Sequence, residues 1–181
     1  MLQPMSSVAA PTGAVAAEVP SRVEARIAEL GLRLPLDLKP PGGSYAPYRT
    51  VASAPGRRIV HLAGSVPFVD GQYAFVGKVG ADFSVAEGQE AARLCVLGML
   101  GHLKHACGGD LDKVTACLKL GVFVNCPPDF VDHPVVGNGG SELVVAAFGE
   151  AVGAHARAAV GVASLPRGVA VEIDGVFEVR E

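Results

Sequence analysis

The chain has 181 residues, half of them apolar and 18% charged, with a net charge of −3. That length fits one domain with a sizeable core, and that composition excludes a disordered, solvated tail. An acidic balance gives no reason to expect nucleic acid, whose phosphates call for a basic excess, and no apolar run reaches the ~20 residues of a membrane helix.

Residues 1–20 contain Ala, Pro and Ser but no Arg or Lys. They match neither a signal peptide nor a mitochondrial leader and are expected to form a flexible extension, with 21–181 as the single domain. Ser21 and Glu24 make a capping box, which predicts a short helix with Val23, Ile27 and Leu30 on one face and Gly31 as its stop. Pro35, Pro40, Pro41 and Pro47, with Gly42 and Gly43, make 34–48 a loop or extended strap. Its Tyr45 and Tyr48 either pack or bring a phenol to a pocket rim.

The runs 50–54 and 59–63 flank Pro55-Gly56 and read as a hairpin, with His61 a satisfied strand histidine. Asp70-Gly71 is a turn, and 73–79 a further short strand. The stretch from Gly71 to Lys78 is not a phosphate loop, because Val79 stands where Ser or Thr should hold magnesium. Ser84 and Glu87 form a second capping box, opening a helix of about 24 residues that ends at Gly108-Gly109. Leu94, Leu97, Met99, Leu100 and Leu103 supply its apolar face, and Gly98 and Gly101 within it predict close packing. His102, His105 and Cys107 lack a further ligand nearby, so no metal site is expected.

Val114, Ala116, Leu118, Leu120, Val122 and Val124 alternate on one face of a strand that Pro127-Pro128 ends. Residues 141–152 read as a second helix, with Leu143, Ala147 and Phe148 inward. Gly137-Asn138-Gly139-Gly140 is then the loop before it, serving either as an ordinary cap for Ser141 and Glu142 or as an anion holder. A strand over 156–163 stops at Leu165-Pro166. In the last strand Val169, Val171, Ile173, Phe177 and Val179 share one face, and Glu172, Asp174 and Glu178 the other.

This order describes an α+β domain: one mixed sheet with two helices on a single face, parallel where a helix crosses and antiparallel in an early and a late hairpin. The bare face calls for a partner subunit. Cys95, Cys107, Cys117 and Cys126 form no close CxxC pair; two of them fall in apolar patterned stretches that fit buried free thiols, and a reducing, cytoplasmic compartment is expected, with disulfides the alternative.

Arg157 is the unusual residue, with only small neighbours (Ala159, Gly161, Ala163) on its face. A guanidinium placed there must be paired, either with a ligand carboxylate or with an acid of the last strand. Glu172 faces solvent or, if a neighbouring subunit closes that face, a water it can orient. His133 and His155 fall in or near loops and establish no Ser-His-Asp order.

His155-Ala156-Arg157-Ala158-Ala159-Val160-Gly161-Val162, Leu165-Pro166 and Val169-Ala170-Val171-Glu172-Ile173 resemble, in order and spacing, the C-terminal signature of the Rid (reactive intermediate deaminase, YjgF-like) family, also known as endoribonuclease L-PSP proteins. Ala46-Pro47-Tyr48 resembles the family's early Gly-Pro-Tyr. Val60-His61-Leu62-Ala63-Gly64 with Val66-Pro67 resembles its Ser-Gly-Gln-Ile/Val-Pro strand. Gly139-Gly140-Ser141-Glu142-Leu143 and Ala147-Phe148-Gly149 look like a longer subgroup.

The resemblance implies a chorismate-mutase-like fold and a homotrimer with clefts between subunits. It further implies hydrolysis of reactive enamines and imines, of the 2-aminoacrylate or 2-iminopropionate type, to 2-keto acids and ammonia, with no cofactor and no metal. On it Arg157 clamps the substrate carboxylate, Glu172 orients water and Tyr48 is the early tyrosine. Gly64, Asn138, Ser141 and the stretch at Ala159 complete the substrate contacts. Ala158 and Ala159 stand where the deaminase branch carries Ser then Cys, and Ser65 stands where Gln is usual. The rival reading is a non-catalytic trimer that binds a small carboxylate metabolite in a regulatory or protective role. Ribonuclease activity finds less support, since the chain lacks a basic stripe and stacking aromatics.

Overall fold

The computed structural model describes residues 21–35 and 38–181; the extension expected over 1–20 lies outside the described residues. Helix α1 (Arg22–Glu29) opens with the reciprocal Ser21–Glu24 capping box. Val23 and Ile27 are buried beneath it, but Leu30 is 50% exposed. Leu30 is the C-cap, at ψ 3°, so it has left the helical face it was expected to share.

Strands β1 (Tyr48–Ala54) and β2 (Arg57–Ser65) form the predicted hairpin, with Gly56 at φ 69° in its turn. His61 is exposed on β2 rather than packed away. A second, minimal hairpin pairs β3 (Phe68–Val69) with β4 (Gln72–Tyr73). Its Asp70-Gly71 turn has both φ angles positive, the hand that suits two twisted strands. The strand expected to continue to Val79 does not form. Phe75 at φ 51° and Gly77 at φ 152° break the extended run, leaving isolated bridges from Val76 to Val169 and Val79 to Phe83.

Helix α2 (Val85–Ala106) carries its Ser84–Glu87 box, and its glycines are contact points as predicted. A Cβ on Gly98 would lie 2.7 Å from Ser65 Oγ, and one on Gly101 would overlap Leu38. In β5 (Val114–Asn125) the single apolar face is interrupted by two bulges. Partners step from Val114↔Val179 to Ala116↔Glu178 and from Cys117↔Phe177 to Lys119↔Val176, which leaves Thr115 and Leu118 as extra residues. The alternation therefore flips at Thr115 and is restored at Leu118: Cys117 turns inward and Leu118 is 41% exposed.

The largest departure is α3 (His133–Phe148), followed by the single turn α4 (Glu150–Gly153). Gly137-Asn138-Gly139-Gly140 is not a loop before a helix but part of α3, which starts at His133 with Pro134 in its first turn. The glycines serve packing. A Cβ on Gly139 would overlap the Gln89 carbonyl, and one on Gly140 would sit 2.9 Å from Ile173 Cδ1. No helix start exists there to hold an anion.

Strands β6 (Ala156–Val162) and β7 (Val171–Arg180) complete a five-stranded sheet in the order β1-β2-β7-β5-β6. The parallel pair is β5–β6, across α3. The late hairpin does not form: β7 inserts between β2 and β5, antiparallel to both. Its Val171, Ile173, Phe177 and Val179 are fully buried, which a central strand under helices can achieve and an edge strand cannot. Helix α2 lies across β2 and β7, and α3 across β5 and β6. Among the described residues no helix covers the opposite face, where Val51 is 56% and Val160 46% exposed. All four cysteines are buried and free.

Candidate functional site

Arg157 stands near the start of β6, the strand at one edge of the sheet. Its register partner Leu120 is buried beneath the helices, so the arginine emerges on the helix-covered face. Helix α3 makes room for it. A Cβ on Gly137 would come within 3.1 Å of Nη1 and 3.3 Å of Cζ, so glycine lets the guanidinium lie against the helix backbone. Nη2 donates to the Pro134 carbonyl at 3.0 Å, and Nη1 donates to Ser141 Oγ at 2.9 Å. Ser141 Oγ is in turn 2.9 Å from His155 Nε2, and His155 Nδ1 is 2.6 Å from the Gly153 carbonyl.

None of the ion pairs among the described residues involves Arg157. The alternative of a pairing with an acid of the last strand is not realised. Glu172 and Asp174 stand on the other face of the sheet, and Glu178 is held by Arg57 at 2.5 Å and Thr115 at 2.7 Å. The guanidinium therefore meets two neutral acceptors and no acid among the described residues, on a fork that carries five donors.

Glu172 belongs to the bare face, in a row with Phe123 and the exposed Val160. Its carboxylate leans over Gly64, where a Cβ would overlap Oε1 and sit 2.7 Å from Cδ. Position 64 must be glycine while Glu172 keeps this pose. Asp174 lies over Gly121 in the same way, 3.1 Å from Cγ to a Cβ built there. Burial and then the neighbouring Asp174 push the Glu172 carboxyl above the usual carboxylate range, partly offset by Lys39. Beneath it the Cys95 thiol contacts the Val171 carbonyl at 3.4 Å and is pushed far up by burial and by the charge of Glu172, so it is no nucleophile. Next to Gly64 and Ser65 a cavity of about 40 Å³ opens between the strap, with Lys39 and Tyr45, and α2, with His102. It has room for little more than water.

Tyr48 is elsewhere. Its hydroxyl meets His105 Nδ1 at 2.7 Å, near the end of α2. Asn138 is half-buried on α3, one residue beyond Gly137, and Ala159 is the next residue on the Arg157 face of β6. The chain thus joins Arg157 with Ser141 and Glu172 with Gly64. It keeps these two pairs on opposite faces of the sheet and Tyr48 apart from both.

Sequence reasoning missed Pro134, Gly137 and His155 as companions of Arg157, and Asp174 as the companion of Glu172. Pro134, Gly137 and Ser141 share one helical face, at spacings of three and four, only once the helix is started at His133. Pro134 was the available signal for that start.

A family model described as "YjgF/chorismate_mutase-like, putative endoribonuclease" matches residues 24–171. Protein TCP17 of Trypanosoma cruzi is 44% identical over 159 residues, covering 88% of this chain and 95% of its own. The crystal structure of Atu1372 from Agrobacterium tumefaciens, described as of unknown function, is 40% identical with a TM-score of 0.76, over 87% of this chain and 93% of that one. A "putative endoribonuclease" from Shewanella oneidensis MR-1 is 30% identical with a TM-score of 0.79, over 87% and 99%. The matched stretch contains Gly64, Ser141 and Arg157 and ends at Val171, just before Glu172.

Proposed function

The chain belongs to the YjgF/chorismate-mutase-like family, and on that premise we propose that it hydrolyses small imine or enamine acids to 2-keto acids and ammonia, without a cofactor, in clefts between the subunits of a homotrimer. The observation that carries this reading is the guanidinium of Arg157, fixed by Pro134 and Ser141 and lacking any carboxylate partner among the described residues. Such a fork suits the two oxygens of a substrate carboxylate.

The chemistry balances with water alone. Protonation of an enamine at carbon gives the imine; water adds to the C=N carbon; a proton moves to nitrogen; ammonia leaves as C=O forms. Glu172, whose proton is held more tightly than an ordinary carboxyl's, is suited to exchange protons with that water. Positioning and charge complementarity supply the rest. Because Arg157 and Glu172 occupy opposite faces of one sheet, a cleft using both takes them from different subunits. A reducing cytoplasm suits four free thiols. No helix among the described residues is long and apolar enough to cross a membrane.

A second reading is favoured by Ala158 and Ala159, which offer no reactive side chain after Arg157: a trimer that binds a small carboxylate without turnover. RNA cleavage is less supported, given a net charge of −3 and no Trp.

The test is release of pyruvate from 2-iminopropionate generated in place, for the wild type against Arg157→Ala. Acceleration over buffer that the substitution removes supports the deaminase. No acceleration, with saturable pyruvate binding that Arg157→Ala abolishes, supports the binding module.

A further inference from the structure

We infer that Ser141 and His155 are positioning residues for Arg157, forming a relay of fixed direction that locks the guanidinium in its binding orientation. This rests on the carboxylate-binding reading of Arg157 given above.

The direction of each bond follows from what each atom can do. The guanidinium only donates, so at 2.9 Å Ser141 Oγ accepts from Nη1. The Gly153 carbonyl only accepts, so at 2.6 Å His155 Nδ1 carries the proton and donates. In the neutral ring Nε2 then bears the lone pair and accepts the Ser141 hydroxyl proton at 2.9 Å. The run is Arg157 to Ser141 to His155 to Gly153, with every donor meeting an acceptor. A serine without His155 could turn its hydroxyl toward water and rotate away from Nη1. With His155 present, one rotamer satisfies both ends.

The relay also joins separate parts of the chain. Ser141 is on α3, Gly153 closes α4, and His155 and Arg157 lead into β6. Gly153 is itself buried and has no room for a side chain, since a Cβ there would lie 2.8 Å from the Val144 carbonyl. The last acceptor of the relay is therefore anchored in the packed interior. Arg157 emerges from an edge strand, and among the described residues the hydrogen bonds that orient it come from Pro134 of α3 and from this relay. A Ser–His pair can also be a nucleophile and base, but here a guanidinium sits on the serine oxygen. Among the described residues no carboxylate hydrogen-bonds to the histidine to support an imidazolium. The geometry favours holding over attack.

The experiment uses the full chain with Ser141→Ala, His155→Asn and His155→Gln, and Arg157→Ala as the control. Asn reproduces Nδ1 toward Gly153 but offers Ser141 nothing; Gln reproduces the acceptor at Nε2. Arginine-selective ¹⁵N NMR reads whether the Arg157 Nη groups rotate slowly, and titration with pyruvate reads its binding. The expected result is slow rotation in the wild type and His155→Gln, and averaging in Ser141→Ala and His155→Asn. Pyruvate should bind about ten-fold more weakly to the last two, as for a lost bond to a charged donor. Unchanged Nη rotation in His155→Asn and Ser141→Ala, with only the melting temperature lowered, would show a mere staple and overturn the proposal. If the wild type binds no pyruvate, the carboxylate-binding reading fails, and the rotation data alone decide whether the relay positions Arg157.

Discussion

Tyr48 and Arg157 stand in one row of the sheet, at its two opposite edges. The row runs Tyr48, Leu62, Gly175, Leu120, Arg157 through successive register partners. At ~4.8 Å between strands the two backbones are roughly 19 Å apart, too far for one chain to bring the phenol to the guanidinium. A cleft that uses both must draw on two copies. The expected assembly is a trimer by analytical ultracentrifugation. Mixed trimers reconstituted from Arg157→Ala and Glu172→Gln chains should recover part of the activity that each lacks alone. A monomer with full activity would end the inter-subunit reading. Tyr48→Phe should cost about 1 kcal/mol in chemical unfolding through the lost bond to His105. A larger fall in turnover than in stability would mark the phenol as part of the cleft.

Arg157→Lys tests whether geometry or charge matters. Lysine keeps the cation but cannot reach Pro134 and Ser141 together, nor present a fork. We expect kcat/KM to fall by roughly 100-fold, about 2.7 kcal/mol of lost stabilisation, with a melting temperature close to that of the wild type. Near-wild-type kinetics would mean that a point charge suffices.

Glu172 predicts a pH dependence. Its folded-state carboxyl titrates above the unfolded one, because of burial and then Asp174. The folded state thus holds this proton more tightly, and stability falls as pH rises from the unfolded midpoint through the folded one. Glu172→Gln should therefore stabilise the protein near neutrality and leave it unchanged in acid, by chemical unfolding at several pH values. Asp174→Asn removes one cause of the shift and should move the Glu172 carboxyl ¹³C titration downward. An unmoved midpoint would leave burial as the whole cause.

Much of this arrangement could be read from the chain. Both capping boxes, the alternation of β7 with Glu172 and Asp174 outward, and the isolation of Arg157 among small residues are local signals, and local signals survive folding. Three features were not local. Leu118 looks inward by simple alternation, and only the pairing of β5 with β7 reveals the bulges at Thr115 and Leu118 that turn it out. Residues 137–140 look like a loop because glycine is a poor helix former, yet α2 and β7 press so closely on Gly139 and Gly140 that a larger residue would not fit at either. The separation of Arg157 from Glu172 depends on β7 crossing to the centre of the sheet, a matter of topology that no residue announces.

The α3 glycines give a last prediction, because two of them should respond in opposite ways. Gly→Ala in a helix interior ordinarily gains about 1 kcal/mol. At Gly139 that gain is overwhelmed, since the new methyl would overlap the Gln89 backbone carbonyl; α2 and α3 must part, and Gly139→Ala should lower the unfolding free energy by roughly 2–3 kcal/mol. At Gly137 the obstacle is the guanidinium of Arg157, with Nη1 3.1 Å from the added carbon. A side chain at a sheet edge can yield by a few tenths of an ångström, so the helix keeps most of its gain while the fork is pushed off its position. Gly137→Ala should thus be as stable as the wild type or slightly more so, yet bind pyruvate several-fold more weakly. Chemical unfolding and a binding titration on the same two variants separate these effects. If Gly137→Ala binds as the wild type does, the guanidinium tolerates displacement, and the close fit of α3 against Arg157 serves packing alone.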